Sequence, residues 1–464
     1  MTLHDTRGLA VSTRSRTAVD RYDTAVELLN GYYLDFLAVI DEALEEDPDF
    51  VMGHCFKAGV YATCNEASVQ SELRRSLEAA EALSAVANDR ERTHMAAARA
   101  WMEGDLERAA AIYGHILREH PRDILALQLG HQTDFYLGES RMLRDRVAQV
   151  LPHWDESVPG FGYVLGMHAF GLEQTNLYSR AEQTGRRALS LNQRDPWAIH
   201  AVAHVLEMQG RVDEGIEWLG SRRPQWADNN AFSFHNWWHL ALYHLEQGET
   251  ERVLALYDAH VRPSPASTAL ELVDASGMLW RLHLRGVDVG DRWRDLADAW
   301  ERTAGDGRYA FNDTHAMMAF VAGGREEAVE RTMAVQEAAA RDGRGTGAAM
   351  ARDVGVPVCQ ALRAFGRGDY RTAADLLYAV RTRAHRFGGS HAQRDILDLT
   401  LLEAAIRGGD TPLARALTAE RNDLKPSSPA NRTLTARAID MAAGRAAAGR
   451  QRTVLFQDCV ILEG

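Results

Sequence analysis

The chain has 464 residues, 46% hydrophobic and 25% charged, the balance of an ordinary globular protein rather than a disordered or membrane-embedded one. Its net charge of −13 at pH 7 speaks against nucleic acid and anionic membrane as partners. The four cysteines (Cys55, Cys64, Cys359 and Cys459) form no CxxC pair and suggest no disulfide framework, so a reduced, cytoplasmic compartment is expected.

Residues 1–20 read as an N-terminal arm or cap, with no apolar core of a secretory leader. No later run approaches the roughly 18 apolar residues of a membrane span. From residue 21 to 450 the pattern is repetitive. Gly104-Asp105, Gly138-Glu139, Gly210-Arg211, Gly248-Glu249, Gly324-Arg325, Gly368-Asp369 and Gly409-Asp410 each open an amphipathic, Ala-containing stretch. Where the interval doubles, hidden openings fall near Tyr178 and Gly286. The spacing is close to the roughly 34 residues of a tetratricopeptide helical hairpin. DPDF (47–50) and DPWA (195–198) read as turns between units, with Pro at a helix start. One hairpin cannot bury its apolar stripe alone, so an all-α superhelical solenoid of stacked hairpins is predicted. VPVCQ (356–360) and TVLFQDCVIL (453–462) are the only strand candidates, the latter in a short C-terminal segment, 451–464. The Gly-rich 341–357 and NDLKPSSPANR (422–432) read as functional loops.

Two histidine pairs stand out, His200/His204 in HAVAHVLE and His235/His239 in HNWWHLALYHLE. Each pair is spaced i, i+4, so both rings leave one helix face. The pairs are one repeat period apart (235 minus 200 is 35), which places them on equivalent helices of neighbouring units. His200, His204 and Glu207 lie at about 0°, 40° and 340° around a helix, a narrow stripe. The five residues His200, His204, Glu207, His235 and His239 are therefore a candidate set for a divalent transition metal, which imidazole and carboxylate both suit. The same rings can instead bind a ligand, carry protons or simply pack. His244 lies on the far side of its helix and reads as structural. Trp238 can stack on a ligand, although tryptophan is usually core.

In FNDTHAMMAF, Asp313 reads as a helix N-cap beside Asn312, which places His315 in the first turn, where the helix dipole keeps a ring neutral and fit to act as a base. GGSHAQRD offers Ser390 as N-cap, His391 and Asp395 one turn apart as an imidazole–carboxylate dyad or a plain ion pair, and Arg394 as a bidentate clamp. Lys425 and Arg432, flanking Asn431, can close a groove over an anionic group; Lys425 and Lys57 are the only lysines among 52 basic residues. His131 with Asp134, His168 with Glu173, and Asp274 with Trp280 and Arg281 are lesser candidates. Cys359 reads as an inert buried thiol. P-loop, GxGxxG, GxSxG and CxxC signatures are absent, which removes the usual nucleotide, hydrolase-elbow and zinc-ribbon readings.

HAVAHVLEMQGRVDEGIEWL (200–219), FHNWWHLALYHLEQGE (234–249), DASGMLWRL (274–282), FNDTHAMMAF (311–320) and GGSHAQRD (388–395) together resemble the bacterial relatives of the tetratricopeptide repeat protein 38 family. The resemblance runs over nearly the whole chain and implies a repeat solenoid; it brings no reaction with it. Three functions stay open. The first is an enclosed pocket for a small polar metabolite or peptide end, held by Asn312, Arg394, Arg432 and the histidines, with His391, Asp395 or His315 supplying acid/base chemistry. The second is a metal-assisted hydrolase or oxygenase built on the HxxxH pairs, and the third a protein–protein scaffold. A monomer and a homo-dimer are equally compatible with the sequence.

Overall fold

The structure, a computed structural model, describes residues 2–264, 268–303 and 307–441. Residues 3–4 and 10–11 pair as a small antiparallel hairpin, and the first helix, Arg16–Asn30, starts at Ser15, whose side chain accepts the Ala18 N–H. Beyond it, helix follows helix in hairpin pairs to Thr411–Leu424, with a further helical run over 429–441. The chain is an all-α superhelical solenoid of tetratricopeptide-like hairpins.

The Gly openings are the turns inside these hairpins, and all of them, Gly286 included, take positive φ. At the skipped opening before Tyr178 the left-handed residue is Asn176, φ 62°, the residue type that best replaces glycine there. Pro196 occupies the first turn of Pro196–Met208, with Asp195 capping Trp197 N–H and Ala198 N–H. Pro48, by contrast, stays in the turn three residues before Val51–Cys64.

The two helices of a hairpin differ in burial. The outer helix Tyr178–Leu191 buries only Ala181, Gly185, Ala188 and Leu189, the single stripe of an amphipathic surface helix. In its inner partner Phe161–Glu173 every residue is buried, and Ser233–Glu246 is buried except at its two ends. Two-sided burial arises because the superhelix closes across its own axis. Thr346 Oγ1 accepts the Leu106 N–H at 3.1 Å, Glu66 accepts the Ala269 N–H at 2.8 Å, and Arg281 reaches the Ala392 carbonyl at 2.6 Å. Gly138 marks how close this contact is: at φ +68° its hydrogen faces the His385 carbonyl oxygen, which a Cβ would meet at 1.7 Å.

One stretch, 341–360, differs from expectation. The Gly-rich 341–357 is mostly helical rather than a loop: Gly345–Met350 runs through a π turn, Ala351–Gly355, into Val356–Gly366, which absorbs the strand candidate VPVCQ. Glycine serves close packing here, since a Cβ on Gly355 would stand 2.3 Å from Gln336 Oε1. The other strand candidate, TVLFQDCVIL, lies outside the described residues. Among the described residues, no helix is long and apolar enough to cross a membrane.

Candidate functional site

Pro196–Met208 and Ser233–Glu246 are inner helices of consecutive hairpins, and both present their histidine face to the same interior point. His200, His204, His235 and His239 each offer one ring nitrogen, all within 4.8 Å of one another. His200 Nε2 and His235 Nε2 are 3.1 Å apart, and ring centroids of His204 lie 4.4 Å from both His200 and His239. Tetrahedral metal–imidazole bonds of about 2.0–2.1 Å put neighbouring nitrogens about 3.3 Å apart, inside this range. Phe170, Trp197, Phe232 and Trp238 wall the rings in, Trp238 stacking on His235 at 5.3 Å.

Three carboxylates stand behind the rings. Asp274 Oδ2 accepts from His235 Nδ1 at 2.6 Å and Glu207 Oε2 from His239 Nδ1 at 3.0 Å. A ring that donates through Nδ1 carries its lone pair on Nε2, so both rings turn an acceptor inward, an arrangement typical of metal-ligating histidines. Glu173 Oε2 is 3.7 Å from His204 Nδ1. Glu207, expected as a ligand, instead has its Oε2 engaged by His239 Nδ1.

The cluster has unused hydrogen-bonding capacity. His200 Nδ1, both nitrogens of His204, His239 Nε2 and Glu173 Oε1 are buried without a partner. Burial first, then the neighbouring histidines, pushes His200, His204 and His239 well below the ordinary histidine range, so these rings are neutral at pH 7. Burial raises the Glu173 carboxyl to about 8. Neutral imidazoles with free lone pairs in a dry enclosure are a competent donor set for a soft-to-borderline divalent ion.

Two adjoining cavities flank the carboxylates. One, of about 650 Å³, is bordered by Glu207, Arg281 and Lys425; the other, of about 270 Å³, by His391, Arg394 and Lys425. His391 Nδ1 points to Glu173 Oε1 across 4.0 Å, and Lys425 Nζ is 3.9 Å from Glu207. Burial holds His391 down to about 4.

The His391–Asp395 dyad does not form. Asp395 is clamped by Arg421 at 2.6 and 3.1 Å, and although burial alone would raise its carboxyl, that guanidinium holds it well below the usual range. Ser390 is the N-cap, in a capping box with Gln393. Asp313 is not a cap: its helix begins at Ala310, and Asp313 instead accepts from Gln336 at 2.6 Å. His315 therefore lies beyond the first turn; burial, not the helix dipole, lowers it to about 4, and its Nδ1 donates to the Phe311 carbonyl. Its Nε2 and Trp238 approach Gly277 beside Arg281. Asn312 is half-buried on that helix and borders neither cavity. Arg432 is exposed and donates to the Ser427 carbonyl, away from the cluster. His244 pairs with Glu249, Asp134 with Arg146 rather than His131, and burial lifts the Cys359 thiol to about 12.

Sequence reasoning undervalued Asp274 and Glu173 and missed Arg421. The signal for the first two was the repeat period: His200, His235 and Asp274 follow one another at 35 and 39 residues, and Glu173 precedes Glu207 by 34, equivalent places on successive inner helices. Arg421 meets Asp395 from the next helix, a pairing with no periodic signature.

No family model matches the chain. Among solved structures, the chain is similar to the Cut9–Hcn1 hetero-tetramer of the APC/C (11% identity, 90% of this chain, 69% of that chain, TM-score 0.45). Human IFIT1, solved as a dimer with m7Gppp-AAAA, aligns at 13% identity over 93% of this chain and 91% of that chain, TM-score 0.39. Yeast Tom70 aligns at 11% over 97% and 93%, TM-score 0.32. At these values the likeness extends no further than a general architecture of stacked helices.

Proposed function

We propose that this solenoid is a metalloprotein in which His200, His204, His235 and His239 hold one divalent transition ion, and that the flanking cavities admit a small polar ligand to it. The single observation that carries the reading is the convergence of four buried imidazoles, three of which (His200, His204 and His239) keep partnerless nitrogens, backed by Asp274, Glu207 and Glu173. An ion held by these four rings, with a further position left for water or ligand, would supply Lewis acidity or an activated water, the chemistry of a metal-assisted hydrolase, or dioxygen chemistry if redox-active. The chain's own residues orient the ligating rings through Asp274 and Glu207, exclude water with the aromatic wall, and place His391 and Glu173 where a proton can be held beside the ligand.

Two further observations support the reading. The motifs that resemble the tetratricopeptide repeat protein 38 family supply nearly every member of the site: 200–219 and 234–249 the rings and Glu207, 274–282 Asp274 and Arg281, 388–395 His391 and Arg394. We place the chain with that family's bacterial relatives on those motifs. A scaffold that grips an extended peptide, moreover, needs an open concave face, whereas the inner helices here are buried on both sides. The test is uptake: chelator-treated protein titrated with Zn(II), Cu(II), Ni(II) and Fe(II) is expected to bind one equivalent of at least one of them. Failure to bind any would end the metal reading.

A further inference from the structure

The smaller cavity has a charge pattern that the metal centre does not explain. Four cations border it: Arg381, Arg394, Arg421 and Lys425. Two of them are neutralised in place, Arg381 by Asp398 at 3.1 Å and Arg421 by Asp395 at 2.6 Å. Arg394 has no carboxylate within ion-pair distance among the described residues; its Nη1 finds only the carbonyls of Gly388 and Gly389. Lys425 has only Glu207, at 3.9 Å, beyond hydrogen-bonding range. His391 lines the cavity, and its Nδ1 faces Glu173 Oε1 across 4.0 Å, both atoms buried and both without a partner.

We infer that this cavity is an oxyanion subsite, in which Arg394 and Lys425 bind the carboxylate or phosphate group of a small metabolite whose remainder extends past His391 towards the histidine cluster. The inference deepens the function proposed above by giving the ligand's chemical class, and it rests on that reading only for where the ligand leads; the anion contacts include no ring of the cluster. A guanidinium offers two parallel donors to either oxyanion, and a lysine beside it adds a mobile point charge. A desolvated cation with only neutral acceptors has electrostatic capacity left for an anion. Burial already draws the Arg394 guanidinium down to about 10, as expected of a cation short of counter-charge. A volume of about 270 Å³ lies just below the roughly 300 Å³ at which drug-sized ligand cavities begin, and so suits a small metabolite and not a peptide.

The experiment is calorimetric titration of the full chain with inorganic phosphate and, separately, with succinate, before and after dialysis against a chelator. Saturable one-to-one binding of either anion is expected, the stronger of the two identifying the source of the oxyanion. R394M and K425M should each weaken it tenfold or more, while R432A, altered at an exposed residue outside the cavity, should not change it. Lys425 is partly exposed, so K425M keeps the test valid if R394M fails to fold. Retention of binding after metal removal supports the assignment even if the metal reading fails. Binding lost with the metal would place the anion on the ion itself and overturn it. So would absence of binding by both anions, or wild-type affinity in K425M.

Discussion

His94 and His200 are almost equally hidden, 3% and 2% exposed, and each has a carboxylate in its neighbourhood, yet they belong to opposite kinds of cluster. His94 and its carboxylate are paired. Asp123 Oδ2 accepts from His94 Nε2 at 2.9 Å and Arg90 Nη1 at 2.8 Å, while Oδ1 caps Ala126 N–H at 2.9 Å. Around His200 two carboxylates, Asp274 and Glu207, hold neighbouring rings from outside, while His200 Nδ1, both nitrogens of His204 and His239 Nε2 are left over. Burial of titratable groups therefore does not by itself mark a functional site. Several groups with unspent hydrogen-bonding capacity converging on one dry point do, because natural cores rarely leave it; His131, partnerless but outside the cluster, does not.

The largest contrast should come from removing one ring. His239→Ala is expected to abolish metal uptake while leaving the apo-protein folded, since it deletes a partnerless Nε2 and only one hydrogen bond, from Nδ1 to the partly exposed Glu207; metal stoichiometry and thermal melting read both effects. A variant that keeps its full equivalent of metal would erase the distinction between the clusters. The opposite pattern belongs to Asp123→Ala, which strands Arg90 in the interior and should cost about 3–5 kcal/mol in denaturant unfolding with metal binding by the remaining folded protein unchanged.

Acid offers a third probe. His131, His315 and His391 are held at about 3, 4 and 4 by burial, against about 6.5 when unfolded. Because the folded values are lowered, the unfolded chain binds more protons below pH 6.5, so stability is fully present above that pH and falls as pH drops from about 6.5 towards 4. Asp123, held low by His94 and Arg90 against the effect of burial, adds a loss only below the ordinary carboxylate range. Chevron or urea midpoints across pH 4–7 that stay flat would contradict neutral buried rings. A finer contrast is Asp274→Asn, which keeps the shape but weakens the support of His235; a 10–100-fold loss of metal affinity is expected, with little change in melting. The smallest effect is reserved for Arg367→Ala, whose exposed pairs with Glu326 and Glu330 should leave the urea midpoint and metal binding essentially unchanged.

What was legible in the sequence follows the same division. Turn glycines, helix periodicity and the two HxxxH pairs are local or strictly periodic, and each maps onto a hairpin turn or an inner face. Asp313 was misread because a carboxylate four residues into a helix looks like a cap until its partner, Gln336 on the next helix, is known. The 341–357 segment was misread because glycine marks loops and close helix packing alike, and only the contact with Gln336 and Ala310 separates them. Asp395 found Arg421 rather than His391 because a bidentate guanidinium outcompetes a ring on the same helix face, and that partner lies 26 residues away. Contacts across the superhelix axis, such as His391 with Glu173, carry no sequence period at all.

The most direct measurement of the central claim is X-ray absorption at the metal edge of the reconstituted full chain. Four nitrogen scatterers near 2.0–2.1 Å with the outer-shell pattern of imidazole are expected, and the imidazole signal should diminish in His200→Ala. A spectrum dominated by water or carboxylate oxygen, with one imidazole or none, would contradict the account.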